Sequence, residues 1–160
     1  MANLYLMCGC PGSGKTTYCK NHLTEKDKHI SRDEIRFSML QPGENYFAHE
    51  DDVYMTFWQN IIEALRNGYN VFADQTNLSI KSRHYLLGHI PKGACEHIYA
   101  IVIKNDLQTC LNQNENRKGT KAYVPVSQLR RMFYSFQMPT KEEGFDEVFI
   151  YTPKREVSNG

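Results

Sequence analysis

A chain of 160 residues, 41% apolar and 23% charged, has enough apolar side chain for one packed core, and wholesale disorder is excluded. Its 19 basic residues stand against 18 acidic ones, a net charge of +1 with His neutral. That balance excludes a sequence-wide electrostatic grip on nucleic acid and leaves room only for a local basic groove.

Asn3 to Cys8 (NLYLMC) is a short apolar run ending on glycine and predicts a buried strand. A helix is predicted from Lys15 to about His22, a short strand at Lys28–Ser31, and a helix over Asp33–Leu40 stopped by Gln41-Pro42-Gly43. The longest helix runs from about Glu50 to Asn67, with Val53, Phe57, Ile61, Ala64 and Leu65 as its apolar stripe and Gly68 as its stop. Tyr69–Ala73 reads as a strand, and a helix follows within Ser79–Leu87. His97–Ile103 (HIYAIVI) is the clearest strand. Asp106 to about Glu115 is helical, 116–124 is polar and basic, Ser127 to about Gln137 is the last helix, and Glu147–Tyr151 the last strand.

Alternation of this kind implies parallel strands joined by right-handed crossovers. The expected fold class is α/β: a P-loop NTPase-type three-layer sandwich, a parallel sheet of about five strands with helices on both faces, and a small lid near 113–125. The whole span 1–160 reads as a single domain. In such a sheet ligands bind beyond the carboxyl ends of the strands. Three segments leave strands at that edge: Gly9–Thr16, Arg32–Arg36 and Asp74–Asn77.

Charge is unevenly spread. Residues 32–63 set two arginines against seven acids, whereas 76–93 holds Lys81, Arg83 and Lys92 with no acid, and 115–131 holds five basic residues against Glu115. The five cysteines, Cys8, Cys10, Cys19, Cys95 and Cys110, are odd in number and lack zinc-binding spacing. No apolar run approaches the roughly 18 residues of a membrane span, and no basic, apolar, small-residue leader is recognised. The expectation is a reduced, cytoplasmic protein without a membrane partner.

Gly9-Cys10-Pro11-Gly12-Ser13-Gly14-Lys15-Thr16 satisfies G-x-x-x-x-G-K-[ST] in the strand-to-helix context the motif requires. Backbone N–H groups from Gly9 through Thr16 and Thr17 would wrap phosphate oxygens, with the helix N-terminus adding positive potential. Lys15 would reach the β- and γ-phosphates and Thr16 would hold Mg²⁺. ATP and Mg²⁺ are the implied cofactors.

Asp33 stands at the end of the second strand, where a carboxylate can take the proton of an acceptor hydroxyl. An equal claim comes from the helix itself, since Ser31-Arg32-Asp33-Glu34 fits a capping box. Arg36, one turn on, suits a phosphate on the acceptor or a surface ion pair. Asp74 stands where P-loop proteins place a carboxylate behind Mg²⁺, a role Asp33 could share, while Thr76 or Asn77 could instead cap the next helix. Arg117 and Lys118 lie in a loop able to close over a triphosphate.

Taken together, Arg32-Asp33-Glu34-Ile35-Arg36, Asp74-Gln75-Thr76-Asn77 and Asn114-Glu115-Asn116-Arg117, leading to Gly119-Thr120-Lys121-Ala122 and Val124-Pro125, resemble the kinase domain of the polynucleotide kinase family. The resemblance runs from Gly9 to about Tyr151. It implies transfer of the ATP γ-phosphate to 5′-hydroxyl ends of DNA or RNA, in proteins that assemble into homo-oligomers. By the same resemblance Asp33 is the general base, Arg36 contacts the acceptor's 3′-phosphate, Asp74 and Thr76 lie at the acceptor side, and Arg117 is the lid arginine on the ATP phosphates. One lid arginine of the family is Gln113 here, which leaves Arg117 and Lys118 as rival lid cations. The family's D-x-D-G-T phosphatase motif is not found. The competing readings are a P-loop kinase for a small molecule (a nucleoside, nucleotide sugar or antibiotic) and an ATP-binding switch without an acceptor.

Overall fold

The computed structural model describes residues 2–153; the two ends of the expected 1–160 span, residue 1 and residues 154–160, lie outside the described residues. Five strands, β1 (Asn3–Cys8), β2 (Asp27–Ser31), β3 (Asn70–Asp74), β4 (His97–Ile103) and β5 (Glu147–Tyr151), form one sheet in the order β2-β3-β1-β4-β5. Every pairing is parallel. Between them run α1 (Lys15–His22), α2 (Arg32–Met39), α3 (Glu50–Arg66), α4 (Ile80–Gly88), α5 (Leu107–Glu115) and α6 (Val126–Ser135). This is the α/β, five-stranded parallel architecture that the sequence implies.

The period of two in β1 divides the core. Leu4, Leu6 and Cys8 face one layer with Val71, Ala73, Ala100 and Val102, packed under Phe57, Ile61 and Leu65 of α3 and Leu86 of α4. Met7 faces the other with Phe72, Ile101 and Ile103, under Cys19 of α1. A third cluster, Cys10, Cys110 and Leu129, joins the loop after β1 to α5 and α6. Phe57 and Ile61 are fully buried, each contributing about 1.5–3 kcal/mol of transfer free energy.

Chain order reverses beside β1: its neighbours are β3 on one side and β4 on the other. The loop after β1 therefore opens into the crevice where a parallel sheet binds ligands. Boundaries shift by a residue or two for identifiable reasons. β3 begins at Asn70 because the Tyr69 N–H still closes the end of α3 on the Ala64 carbonyl. α6 begins at Val126, directly after Pro125, and ends at Ser135 because the Gln137 N–H leaves the helix to donate to the Leu78 carbonyl. A 3-10 turn at Lys141–Glu143, absent from the sequence reading, is capped by Thr140. No helix among the described residues is long and apolar enough to cross a membrane.

Candidate active site

The loop Gly9–Thr16 is shaped by its glycines. Gly12 and Gly14 hold φ of 80° and 108°, and a Cβ on Gly12 would stand 2.8 Å from the Cys110 carbonyl oxygen. A Cβ on Gly9 would meet Ser13 Oγ at 2.7 Å, so the loop closes tightly on itself. Gly14 caps α1 without a side-chain hydrogen bond, and the helix's first turn holds no acid. Its N–H groups are thereby left to an anion. The buried Lys15 ammonium donates to the carbonyls of Gly9 (2.8 Å) and Cys10 (3.2 Å), at the centre of this curl. Cys10 turns its thiol away, toward Cys110 and the Leu129 carbonyl; the neighbouring thiol and burial both push it up. Thr17 is exposed beside the loop.

At the loop's end, the Thr16 hydroxyl donates to Asp74 Oδ2 at 3.0 Å, and His29 Nε2 lies 2.8 Å from the same oxygen. Burial pushes the Asp74 carboxyl up, but hydrogen bonds from His29 and Thr16 and the Lys15 charge outweigh it, holding the group below the usual carboxylate range. The next residues lock this corner. Gly9 N–H donates to the Thr76 carbonyl at 2.9 Å, and Asn77, at φ 47°, donates to the Met7 carbonyl at 2.6 Å. Neither Thr76 nor Asn77 caps α4; Ser79 does, in a reciprocal box with Ser82.

The opposite wall is built from side chains. Ser31 caps α2 by accepting from the Glu34 N–H (3.2 Å), the cap that the capping-box pattern predicts, and Asp33 takes no part in it. Asp33 is instead 62% exposed, ion-paired with Arg36 and within 3.4 Å of the Tyr46 hydroxyl. Arg36 is buried and heavily engaged: Nε and Nη2 donate to the two oxygens of Glu50 (2.9 and 2.6 Å), while Nη1 serves Asp33 and Tyr46. Arg32 also reaches Glu50 (2.6 Å) and Gln75 (2.9 Å). Burial raises Glu50, but the two guanidinium groups prevail and hold it below its ordinary value. The Tyr46 hydroxyl is pushed up to about 12, by burial first and then by the Asp33 charge.

The lid follows α5, whose last turn includes residues 113–115. Asn114 is buried and spans the lid's base, donating to the Val124 carbonyl (2.7 Å) and accepting from the Val124 N–H (3.0 Å). Arg117 lines the cleft; Lys118 is exposed and stands 3.5 Å from Glu115. Of the two rival cations, Arg117 therefore stands at the cleft and Lys118 does not line it.

All these walls meet in one cleft of about 610 Å³, lined by Gly12, Gly14, Lys15, Thr16, Asp33, Arg36, Asp74, Thr76 and Arg117 among others. The residues fit a magnesium nucleotide. The loop presents uncapped N–H groups and an ammonium, Ser13 Oγ is buried without a hydrogen-bond partner, and the Thr16–Asp74 pair offers the oxygen donors Mg²⁺ prefers. Sequence reasoning missed Glu50 and His29, and named Gln75 only as part of the Asp74–Asn77 element without a role of its own. Glu50 reads as an ordinary acid in the first turn of a helix, and His29 lies in a short, weakly patterned strand, so neither carries a local signal.

A family model described as "AAA domain" matches residues 4–139. Transcription factor bHLH140 of Arabidopsis thaliana is 25% identical over 159 residues, covering 96% of this chain but 16% of that protein. Among solved structures, a chain of the Pnkp1/Rnl/Hen1 RNA repair complex superposes over 91% of this chain and 46% of its own length, with TM-score 0.73 and 21% identity. A gluconokinase from Sinorhizobium meliloti 1021 superposes over 98% and 85%, with TM-score 0.60 and 16% identity. This chain therefore spans less than half the length of the first two, and the structural likenesses establish the fold alone.

Proposed function

The chain belongs to this AAA domain family of P-loop kinases, and on that premise we propose that it transfers the γ-phosphate of ATP to the 5′-hydroxyl end of a nucleic acid strand. The observation that carries the reading is an accessible carboxylate, Asp33, fixed by Arg36 in the cleft that also holds Lys15, Thr16 and Arg117. A binding switch has no use for such an acceptor wall.

In this reading the acceptor's 5′ oxygen attacks the γ-phosphorus in line, the bond from that phosphorus to the β,γ-bridging oxygen breaks and ADP leaves, and the hydroxyl proton passes to Asp33 Oδ2, the oxygen not engaged by Arg36. Because phosphoryl transfer is usually loose, the carboxylate's task is orientation more than strong basicity. Lys15 and the N–H groups at the start of α1 stabilise the β- and γ-phosphates, and Arg117 adds charge from the lid side. Mg²⁺, when bound, neutralises charge on the same phosphates; Thr16 would hold it, with Asp74 behind. Arg36 orients Asp33 and keeps one Nη2 hydrogen for an acceptor phosphate. Thr76 lines the acceptor side.

The likeness to a chain of an RNA repair complex supports a nucleic acid acceptor, and that to a gluconokinase names the rival. The test supplies γ-labelled ATP and Mg²⁺ with DNA and RNA oligonucleotides bearing a 5′-hydroxyl or a 5′-phosphate. Label entering only the 5′-hydroxyl strands supports the proposal. ATP binding with no labelled strand overturns it in favour of a small-molecule acceptor.

A further inference from the structure

Beyond the cleft, Arg32 connects the acceptor wall to an aromatic surface. Its guanidinium bonds Gln75 and Glu50 on one side and lies 4.5 Å from the Tyr54 ring centroid on the other. From Tyr54 the rings continue without a break. Tyr85 stacks on it (5.5 Å, 25°), His89 meets Tyr85 edge-on (4.9 Å), and Trp58 stacks on His89 (5.0 Å, 29°). Tyr54 and Trp58 are four apart on α3, and Lys81, Tyr85 and His89 follow the same spacing from α4 onward, so two helix faces meet in one strip. Tyr85, the outermost ring, is 60% exposed.

The charges along this strip are asymmetric. Residues 76–93 contain no acid. Their one buried base, Arg83, is paired with Glu143, which leaves Lys81, His84 and Lys92 on the α4 side. α3 by contrast carries exposed acids, Asp51 and Asp52 just before Tyr54 and Glu63 after Trp58.

We infer that this strip carries the nucleotides downstream of the acceptor end of a single strand, its bases stacked on Tyr85 and its phosphates on the Lys81 side. The inference rests on the proposed 5′-kinase reading and deepens it. Aromatic faces accept any base, and flanking lysines neutralise backbone phosphates, which is the chemistry of sequence-tolerant single-strand binding. Continuity through Arg32 with the cleft favours the acceptor strand over a protein partner.

The test compares wild type, Tyr85→Ala and Lys81→Glu on two 5′-hydroxyl acceptors, a dinucleotide and a single-stranded 12-mer. In wild type the 12-mer has the lower KM. Tyr85→Ala raises the 12-mer KM roughly tenfold, leaves the dinucleotide KM and both kcat values unchanged, and retains the wild-type melting temperature. Lys81→Glu has the same selectivity and flattens the salt dependence of the 12-mer. Equal wild-type KM values for the two acceptors, or a variant that shifts both alike, overturns the inference. Anisotropy of a labelled 12-mer separates the two claims. Binding that weakens in Tyr85→Ala without phosphorylation of any strand removes the kinase reading and keeps the surface. Phosphorylation with 12-mer affinity unmoved by either variant does the reverse.

Discussion

The two walls of the cleft are made of different materials. The donor wall, from Gly9 to Thr16, is backbone: positive-φ glycines, uncapped N–H groups and one lysine folded against its own loop, set beside the central strand and sealed to α5 and α6 through Cys10, Cys110 and Leu129. The acceptor wall is side chain: Arg32, Asp33, Arg36, Tyr46, Glu50 and Gln75 reach across from α2, α3 and two loops to satisfy one another. A backbone cradle recognises what every nucleotide shares. A side-chain network can be re-tuned residue by residue. Variants on the donor wall should therefore abolish transfer, and variants on the acceptor wall should grade it.

The largest effect belongs to the donor wall. Lys15→Ala removes the cradle's only ammonium and is expected to lower kcat by about 10³-fold, with little change in melting temperature, as read by single-turnover transfer and calorimetry. An acceptor-wall change comes next. Glu50→Gln removes the better buried of the two carboxylates that pair with Arg36, leaving only the exposed Asp33, and since Glu50 is a quarter exposed the loss is discounted to about 2 kcal/mol. Melting should fall by roughly 5 °C, and transfer should weaken by roughly tenfold as Asp33 loses its fixed orientation. An unchanged melting temperature would mean that the network is not holding the wall.

On the lid, Arg117→Ala is expected to lower kcat by about 10²-fold, whereas Lys118→Ala, at an exposed pair, should change it less than twofold. Equal losses in the two variants would erase the distinction that the geometry draws. The smallest effect at neutral pH is electrostatic. Asp74 and Glu50 are both held below their ordinary values. Their contribution to stability is present above the ordinary carboxylate range, about 4, and is lost as pH falls through the lowered values. Melting should drop steeply below about pH 4 in wild type and less steeply in Glu50→Gln, by thermal scans across pH.

The same contrast explains how much of the molecule is legible in the sequence. The donor wall needs only local rules, since a strand, glycines at fixed offsets and a lysine opening a helix are contiguous. Parallel pairing of the strands follows from the alternation of elements for a similar reason, whereas their order does not. The acceptor wall is long-range: Glu50 bonds residues 14 and 18 positions earlier. Nothing near Glu50 distinguishes it from Asp51 or Asp52. Asp33 was recognisable as a candidate and Ser31 as the helix cap, but only the fold shows that Asp33 lines the cleft. His29 gains its meaning from the register that places β2 beside β3, which brings it to Asp74. Arg117 and Lys118 are equivalent on paper and separate only when Asn114 closes the base of the lid.

The central claim is that donor binding and proton acceptance reside on separate walls that meet at the γ-phosphate. Its most direct test is one comparison of wild type with Asp33→Ala, reading ATP affinity by calorimetry and label transfer to a 5′-hydroxyl strand in a single turnover. Unchanged ATP affinity with transfer reduced by about 10²–10⁴-fold is the predicted result. Transfer at the wild-type rate, or a loss of ATP binding that accounts for the whole defect, would contradict the account.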